Sequence, residues 1–326
     1  MSFQVRIYAK SRELPVLLEG NFFQGRELFV AAEKSVGTSP LLAVAYDDSR
    51  GIAGQLLAIV YRHRLFFSPY LYTYAHVYGE GLYVAPNTVD RQQVFGELLQ
   101  ALTRELDRRY CLYIEFSNME KKMFGYRHLH RQGFFPVAWQ VVRNSLHSMP
   151  PEERLSDKMR LRIEKAIQRG AETHITEDAE ELKRFHKLLK KHYRFKLRHH
   201  VGTLSFLQEM INTGHCKVMV TKLGERIIGG CACIYDGDTA YMWYLASRRK
   251  TYAVFHPNLI TVWSAIQYAY THGNAHIVFM DVGLPWRKAP LREFILGFGG
   301  KPMAKYRWFR FFSSPINRLL RKFIFV

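Results

Sequence analysis

Two carboxylates and one run of cations are the residues whose type and spacing invite chemistry. Glu115 and Asp281 each end a short apolar stretch that reads as a strand, Leu112–Phe116 and Ile277–Val282. A carboxylate there either takes a proton from a reacting group as general base or ties down a neighbouring loop. The position recurs in both halves while one centre suffices, which argues for the structural role. Ser247-Arg248-Arg249-Lys250 stands shortly before a helix opened by Pro257. A helix N-terminus favours anions through its free N–H groups and dipole, and three consecutive cations suit the same ligand. The alternative is a solvated basic loop. Tyr241, Trp243 and Tyr244 lie on one strand and read as core and cleft-wall residues, with Tyr244 retained as a catalytic candidate. His256 stands at a helix start and suits a cap, whereas His192, His199 and His200 lack metal-ligand spacing. The four cysteines show neither a pairing framework nor a CxxC beside histidines, so no metal or redox site is expected.

The elements that must position these residues repeat. In the first half the strand Leu41–Tyr46, the turn Asp47–Gly51 and the strand Ile52–Tyr61 form a hairpin. A strand near Gly81–Val84, a helix Val89–Arg109, the strand Leu112–Phe116 and a helix around Met119–Arg131 follow, then Gly133-Phe134 and a strand near Ala138–Arg143. The second half reads Lys217–Thr221, Ile227–Tyr235, Ala240–Leu245, a helix from Pro257 to the stop at Gly273, then Ile277–Val282, Leu291–Leu296, Gly297-Phe298 and Tyr306–Phe311. Glu115 precedes Asp281 by 166 residues and Gly133 precedes Gly297 by 164. This order predicts an α/β (α+β) protein of two tandem units, residues 1–150 and 151–326, each a mixed sheet flanked by helices.

A chain of 326 residues, 48% hydrophobic and 14% aromatic, can bury two cores and is not a disordered one. Its longest apolar runs are strand-sized, and its first residues lack a signal-peptide layout, so a cytoplasmic protein is expected. The net charge of +19 is uneven: residues 1–150 hold 17 Lys and Arg against 13 Asp and Glu, and residues 151–326 hold 30 against 15. Such a field draws anionic partners: RNA, nucleotide phosphates or an acidic membrane face. Within Leu182–Arg198, Phe185, Leu188, Leu189 and Tyr193 share one helical face and cations fill the others. After Ser314-Pro315 a second amphipathic helix sets Ile316, Leu319, Leu320, Phe323 and Ile324 against Arg318, Arg321 and Lys322, to pack on its own domain or lie on an anionic bilayer.

The unit order resembles the N-acetyltransferase (GNAT) superfamily, and the pairing resembles the Fem family of peptidoglycan interpeptide-bridge aminoacyltransferases. Leu155-Ser156-Asp157-Lys158-Met159-Arg160-Leu161-Arg162-Ile163-Glu164-Lys165-Ala166 carries the likeness to that family's basic linker helix. Pro257, Gly273, Asp281-Val282-Gly283 and Phe294-Ile295-Leu296-Gly297-Phe298-Gly299 complete it. Ile295 stands where the family motif has a lysine, with Lys288 and Arg292 nearby. The superfamily's phosphate-loop glycines are missing from both Val84-Ala85-Pro86-Asn87 and Phe255-His256-Pro257-Asn258.

The resemblance implies an acyltransferase that moves an acyl or aminoacyl group onto an amine of a cell-envelope precursor. Its anionic donor would be acyl-CoA or charged tRNA, with no permanently bound cofactor. The first unit would shape the acceptor cleft and the second would hold the donor. Backbone N–H groups of Tyr241–Leu245 would polarise the donor carbonyl. Arg248, Arg249, Lys250, Lys288 and Arg292 would meet donor phosphates, and Tyr241, Trp243, Arg160 and Arg162 would line the substrate cleft. Asp281, Glu115 and Tyr244 are the catalytic candidates, and the tail 301–326 is the candidate for peripheral contact with the inner membrane face and a lipid-linked acceptor. Two alternatives stand beside this: an acyl-CoA-dependent N-acetyltransferase of amino sugars or small amines, and a non-catalytic RNA- or membrane-binding protein that keeps the fold.

Overall fold

The structure is a computed structural model of the chain and describes residues 3–49, 51–64, 71–84, 88–119, 124–194, 201–248 and 250–324. The chain divides into two compact units, Met1–Trp139 with Lys305–Val326, and Gln140–Ala304. The first boundary falls earlier than 150, and the chain's last strand from Lys305 onward and its last helix belong to unit 1 rather than to the second unit.

Unit 1 begins β1 (Gln4–Tyr8), α1 (Arg26–Lys34), β2 (Thr38–Tyr46), β3 (Ile52–Arg64), β4 (Leu71–Tyr78) and β5 (Leu82–Tyr83). It continues with α2 (Thr88–Arg108), β6 (Tyr113–Met119), α3 (Tyr126–Arg131) and the first part of β7 (Phe135–Ser145). β1 to β4 pair antiparallel in order, and β4 pairs parallel with β6. The β2–β3 hairpin turns where the Asp47 carboxylate accepts the Ser49 hydroxyl at 2.6 Å and the Gly51 N–H at 2.9 Å, a side chain standing in for a backbone partner. α2 lays Val94, Phe95, Leu98, Leu99, Leu102 and Leu106 on alternate residues of β2, β3 and β4, all buried. Each such side chain contributes about 1.5–3 kcal/mol when taken from water. The third long strand is β4, which the sequence reading put at 81–84; those residues form only the two-residue β5, paired with β3. The helix expected from Met119 starts at Tyr126, since Met119 still belongs to β6.

Unit 2 holds the rest of β7, α4 (Asp157–Gln168), β8 (Ala171–Ile175), α5 (Ala179–Tyr193), α6 (Leu204–Asn212), β9 (Cys216–Leu223), β10 (Arg226–Asp236) and β11 (Thr239–Ser247). α7 (Pro257–Thr271), β12 (His276–Phe279) and α8 (Pro290–Leu296) follow. The sheet order is β8-β9-β10-β11-β12-β7, antiparallel except β11 with β12. Caps set the helix starts: Ser156, Asp178 and Thr203 side chains accept from Met159, Glu181 and Phe206 N–H. α5 buries Leu182, Phe185, Leu188 and Leu189 as its period predicts. α7, apolar nearly all round, is buried on β10 and its neighbours. Its first turn comes close because β10 has Gly229 there: a Cβ would meet Thr261 Oγ1 at 2.9 Å and Pro257 Cβ at 3.3 Å.

The chain then returns to unit 1. β13 (Lys301–Phe311) pairs antiparallel with β6 from Tyr306↔Met119 to Phe311↔Tyr113, and α9 (Ser314–Ile324) closes the chain. Trp308 of β13, 1% exposed, lies in the unit 1 core with Phe116 and Phe134. Each unit's β6 or β12 is thus flanked by a strand that the order of a simple tandem repeat would give to the other: β13 beside β6, and residues 142–145 of β7 beside β12.

Candidate active site

β11 loses register with β10 at one place. Ala232 faces Tyr244 and Cys233 faces Met242, so Trp243 is the extra residue of a bulge. Two consecutive side chains therefore share a face. The rings of Trp243 and Tyr244 stack at 5.6 Å and 4°, Trp243 meets Phe206 edge-on at 6.1 Å, and the Tyr244 hydroxyl accepts the Gly202 N–H at 3.3 Å. Met242 and Leu245 join the core under α7. Burial pushes the Tyr244 hydroxyl pKa up to about 12, against the Gly202 bond that lowers it.

The parallel pair β11–β12 opens where the bulge lies. Pairing runs from Thr239↔His276 to Met242↔Phe279 and stops, although β11 continues to Ser247. In unit 1 the corresponding pair stays closed: β4 ends at Tyr78↔Ser117, and the next N–H, of Gly79, still donates to the Ser117 carbonyl at 2.8 Å. β11 thus runs on for five residues past its last pairing with β12, and this unpaired edge beside the bulge forms a wedge-like site between the two strands' ends. In that wedge Tyr193, the last residue of α5, donates its hydroxyl to the Leu245 carbonyl at 3.0 Å and accepts the Leu245 N–H at 3.4 Å. A hydroxyl has the one donor and two lone pairs this requires. Burial raises the Tyr193 pKa, and the negative charge of Asp281 raises it further. Asp281 follows two residues past the end of β12.

At the N-terminus of α7 lies a cavity of about 620 Å³, lined among others by Met159, Arg162, Lys250, His256, Asn258 and Glu293. α4 brings Arg162 to it, and the loop after β11 brings Lys250. His256 precedes Pro257 with φ 43° and ψ 52°, a left-handed conformation for a residue with a side chain; such a position costs of order 1–3 kcal/mol. Its ring makes no capping hydrogen bond, so the expected capping role is not found. Burial lowers the His256 pKa first, and Arg162 and Arg169 lower it further. One polar atom on the wall, Asn258 Oδ1, is buried without a hydrogen-bond partner among the described residues. A positive field and a helix N-terminus suit an anion, and the Asn258 Oδ1 can accept from a donor N–H or O–H elsewhere on such a ligand. Glu293 is the one carboxylate on the wall among the described residues.

The remaining expected residues are placed differently. Glu115 is inside β6 and nearly buried, its Oε1 accepting from Arg307 at 2.9 Å. The Arg307 guanidinium lies 3.9 Å over the Trp139 ring, so the carboxylate is part of an ion pair within unit 1, the structural alternative weighed for it. Arg292 donates to the Leu284 and Arg287 carbonyls at 2.8 and 2.9 Å, holding the loop before α8 rather than facing the cavity. Lys288 is exposed and does not line the cavity; Arg160 is exposed with a 3.4 Å contact to the Glu152 carbonyl. Arg248 is exposed at the end of β11. Arg249, Asn87, His199 and His200 lie outside the described residues. Tyr241 is half-buried on the bulged strand. Sequence reasoning missed Tyr193 as a polar group and Asn258 altogether. The signal for Tyr193 was present: a tyrosine as the last member of an otherwise aliphatic stripe needs a partner for its hydroxyl. Among the described residues no group of three His, Cys, Asp or Glu is placed to hold a metal ion.

Residues 156–288 match a protein family described as acetyltransferase (GNAT) domain. No curated protein sequence matches the chain. Among solved structures, FemX is 13% identical with a TM-score of 0.61, covering 98% of this chain and 100% of its own. A tandem GNAT protein from the clavulanic acid biosynthesis pathway is 10% identical with a TM-score of 0.59, covering 89% of each chain. The C-terminal domain of a putative lysylphosphatidylglycerol synthetase from Agrobacterium fabrum is 10% identical with a TM-score of 0.57, covering 92% of this chain and 90% of that one. At such identities the likeness is one of fold. The chain accordingly has the tandem GNAT fold shared by FemX-like structures, and its residues 156–288 match the GNAT acetyltransferase domain.

Proposed function

We propose that the protein is an acyltransferase that moves an acyl or aminoacyl group from an anionic donor, held by unit 2, to an amine of a cell-envelope precursor. The observation that carries this reading is the pairing of the β11–β12 wedge with the cationic cavity at the α7 N-terminus, both inside the stretch that matches the GNAT domain. In the proposed arrangement donor phosphate lies against the α7 N-terminus, with Arg162 and Lys250 as its cations and Asn258 as a hydrogen-bonding edge. The acyl end enters the wedge, where backbone N–H groups of β11 stabilise charge developing on the carbonyl oxygen. The acceptor nitrogen attacks the acyl carbon, a C–N bond forms, and the bond from that carbon to the donor sulfur or oxygen breaks. The amine loses one proton and the leaving group gains one. Asp281 and Tyr193 are the groups beside the wedge suited to take and to give it. Glu115, tied to Arg307, has no part in this scheme. The first unit would shape the acceptor cleft. The choice of acceptor rests on the names of two neighbours, FemX and a putative lysylphosphatidylglycerol synthetase.

A second reading, an acyl-CoA-dependent N-acetyltransferase of an amino sugar or small amine, is favoured by the acetyltransferase description of residues 156–288. Calorimetric titration with acetyl-CoA, longer acyl-CoAs and charged tRNA separates the two. Binding of a charged tRNA that is weakened by replacing Arg162 and Lys250 supports the first reading. Tight binding of acetyl-CoA alone moves the protein to the second, and binding of neither defeats both.

A further inference from the structure

The C-terminal helix is docked on unit 1 through its polar side. Asn317 Oδ1 accepts the Phe311 N–H and its Nδ2 donates to the Gly133 carbonyl, both at 2.9 Å. One turn on, an Arg321 guanidinium nitrogen lies 3.3 Å from His130 Nδ1. The apolar residues on either side of Asn317 face water: Ile316 is 43% and Leu319 56% exposed. Arg318, Arg321 and Lys322 are exposed on the same short helix. A helix serving only its own core would bury Ile316 and Leu319 and show water its asparagine.

Two further exposed apolar residues lie on the segment whose backbone meets the residues leading into α9. The Leu112 carbonyl accepts the N–H of Phe312, two residues before the helix, at 3.1 Å. Leu112 is 38% exposed, and Tyr110, two residues earlier, is 91% exposed. Scattered exposed apolar residues are ordinary, but a run of them beside unopposed cations is not. Residues 312–326 contain three Lys and Arg, namely Arg318, Arg321 and Lys322, and no Asp or Glu. Glu105, five residues before Tyr110, is engaged by Arg109 at 2.8 Å and Arg108 at 3.5 Å, and Asp107 acts on Arg310 of β13.

The choice of occupant follows from this chemistry. A nucleic acid would use the cations and the exposed tyrosine but gives aliphatic side chains nothing to enter. An anionic bilayer supplies both layers at once: headgroup phosphates for Arg318 and Lys322, and an acyl boundary for Ile316 and Leu319. No described helix is long and apolar enough to cross a membrane, so the contact is one of lying on the surface. We infer that α9, with Tyr110 and Leu112, docks the protein on an anionic lipid surface. This holds or fails independently of the transfer reaction.

Cosedimentation of the full chain with vesicles tests it, using phosphatidylcholine alone and phosphatidylcholine mixed with phosphatidylglycerol. The protein is expected to pellet with the anionic vesicles at low salt and to stay in solution with the neutral ones. Arg318→Glu with Lys322→Glu should weaken the partition about tenfold or more. Leu319→Asn, at an exposed position, should weaken it several-fold with an unchanged melting temperature. Hydrogen exchange on the unaltered protein gives a second reading, with vesicles expected to slow exchange over residues 314–322. Failure to pellet with anionic vesicles, or unchanged exchange over that segment, overturns the inference. So does loss of binding on charge reversal with no effect of Leu319→Asn, because the surface would then be a general polyanion site.

Discussion

The hydroxyl of Tyr193 holds both backbone polar groups of Leu245, three residues past the last contact of β11 with β12. It occupies the edge of β11 on which the proposed transfer reaction sets the donor's acyl end. Two consequences follow, and they separate in experiment. Tyr193→Phe leaves the Leu245 N–H and carbonyl without that partner, so stability should fall by about 1–2 kcal/mol in urea unfolding. If the hydroxyl also returns a proton to the leaving group, turnover should drop by about 100-fold, within the usual range for a positioned proton donor. Donor affinity should hardly change or should tighten, since the edge is open to the ligand. A fall in affinity with turnover per bound donor preserved would reduce Tyr193 to a packing residue.

The cavity at the α7 N-terminus predicts a salt-dependent donor. Arg162 and Lys250 come from α4 and from the loop after β11, and both are exposed, so replacing them with Ala should change stability by less than about 1 kcal/mol. Calorimetric affinity for the anionic donor should fall, and its decline with added salt should become shallower as charges leave the interface. Replacing Lys288 and Arg160, which do not line the cavity, is the matching control and should leave both measures as they were. Equal effects from the two pairs would place the anion elsewhere.

His256 gives the same cavity a pH dependence whose sign is fixed. Burial, with Arg162 and Arg169, lowers its pKa below the ordinary imidazole value of 6.5, so the ring is neutral at pH 7 without ligand. A bound anion favours the protonated ring against those two cations, while Lys250 opposes and Glu293 assists protonation from the wall. Anion affinity should therefore rise as pH falls below 6.5, with net proton uptake on binding. His256→Gln should flatten that rise. Isothermal titrations in two buffers of different ionisation enthalpy read the uptake directly, and an affinity indifferent to pH between 7 and 5 would remove His256 from the site.

Glu181 supplies a pH test of unit 2's stability. Desolvation alone would raise its pKa, but hydrogen bonds from Thr176, Lys222 and His174 outweigh that and hold it at about 2. A folded-state pKa below the unfolded value means stability that is present in full above the unfolded pKa, near 4.5. It is lost as pH falls from there through about 2. Glu181→Gln should cost about 1–2 kcal/mol in urea unfolding at pH 7, with the difference shrinking toward zero by pH 2. A constant difference across that window would mean that shape rather than charge sets the cost.

The parts of this fold that were legible in the sequence are those whose signal is local. The Asp47–Gly51 hairpin, Pro257 opening α7, the Gly273 stop and the Phe185–Tyr193 stripe are fixed by turn chemistry and periodicity, and the structure has all four. What was not legible depends on residues far apart in the chain. Glu115 pairs with Arg307 at a separation of 192 residues, so its strand-end position looked like that of Asp281 although one is inside an ion pair and the other beyond its strand. Arg162 and Lys250 meet only because α4 packs near the α7 N-terminus. β4, Leu-Tyr-Thr-Tyr-Ala-His-Val-Tyr, places buried Tyr74 and Tyr78 on the face opposite Ala75 and Val77, so both faces are covered and no polar–apolar alternation marks it. The bulge at Trp243 also leaves no mark in composition, because a strand with an extra residue reads as any strand.

The return of β13 to unit 1 yields the last prediction. Trp308 is 1% exposed among Phe116, Phe134 and Leu129, in the core of a unit whose other residues end at Trp139. Its neighbours His130 and Tyr126 meet the indole ring edge-on at 5.6 and 5.5 Å. Removing a buried indole leaves a cavity that the surrounding strands cannot close, and Trp→Ala at such a place costs about 3–5 kcal/mol. A simple tandem order would put that cost in the second unit, where residue 308 lies by sequence. The observed pairing puts it in the first. In Trp308→Ala, hydrogen exchange under mild denaturant should speed up over β2, β3, α2 and β6, while β9, β10 and α7 keep their protection. Donor binding at the α7 N-terminus should persist under conditions that keep unit 2 folded. The reverse pattern, with unit 2 opening first, would assign β13 to the second core and return the boundary to the one the sequence suggested.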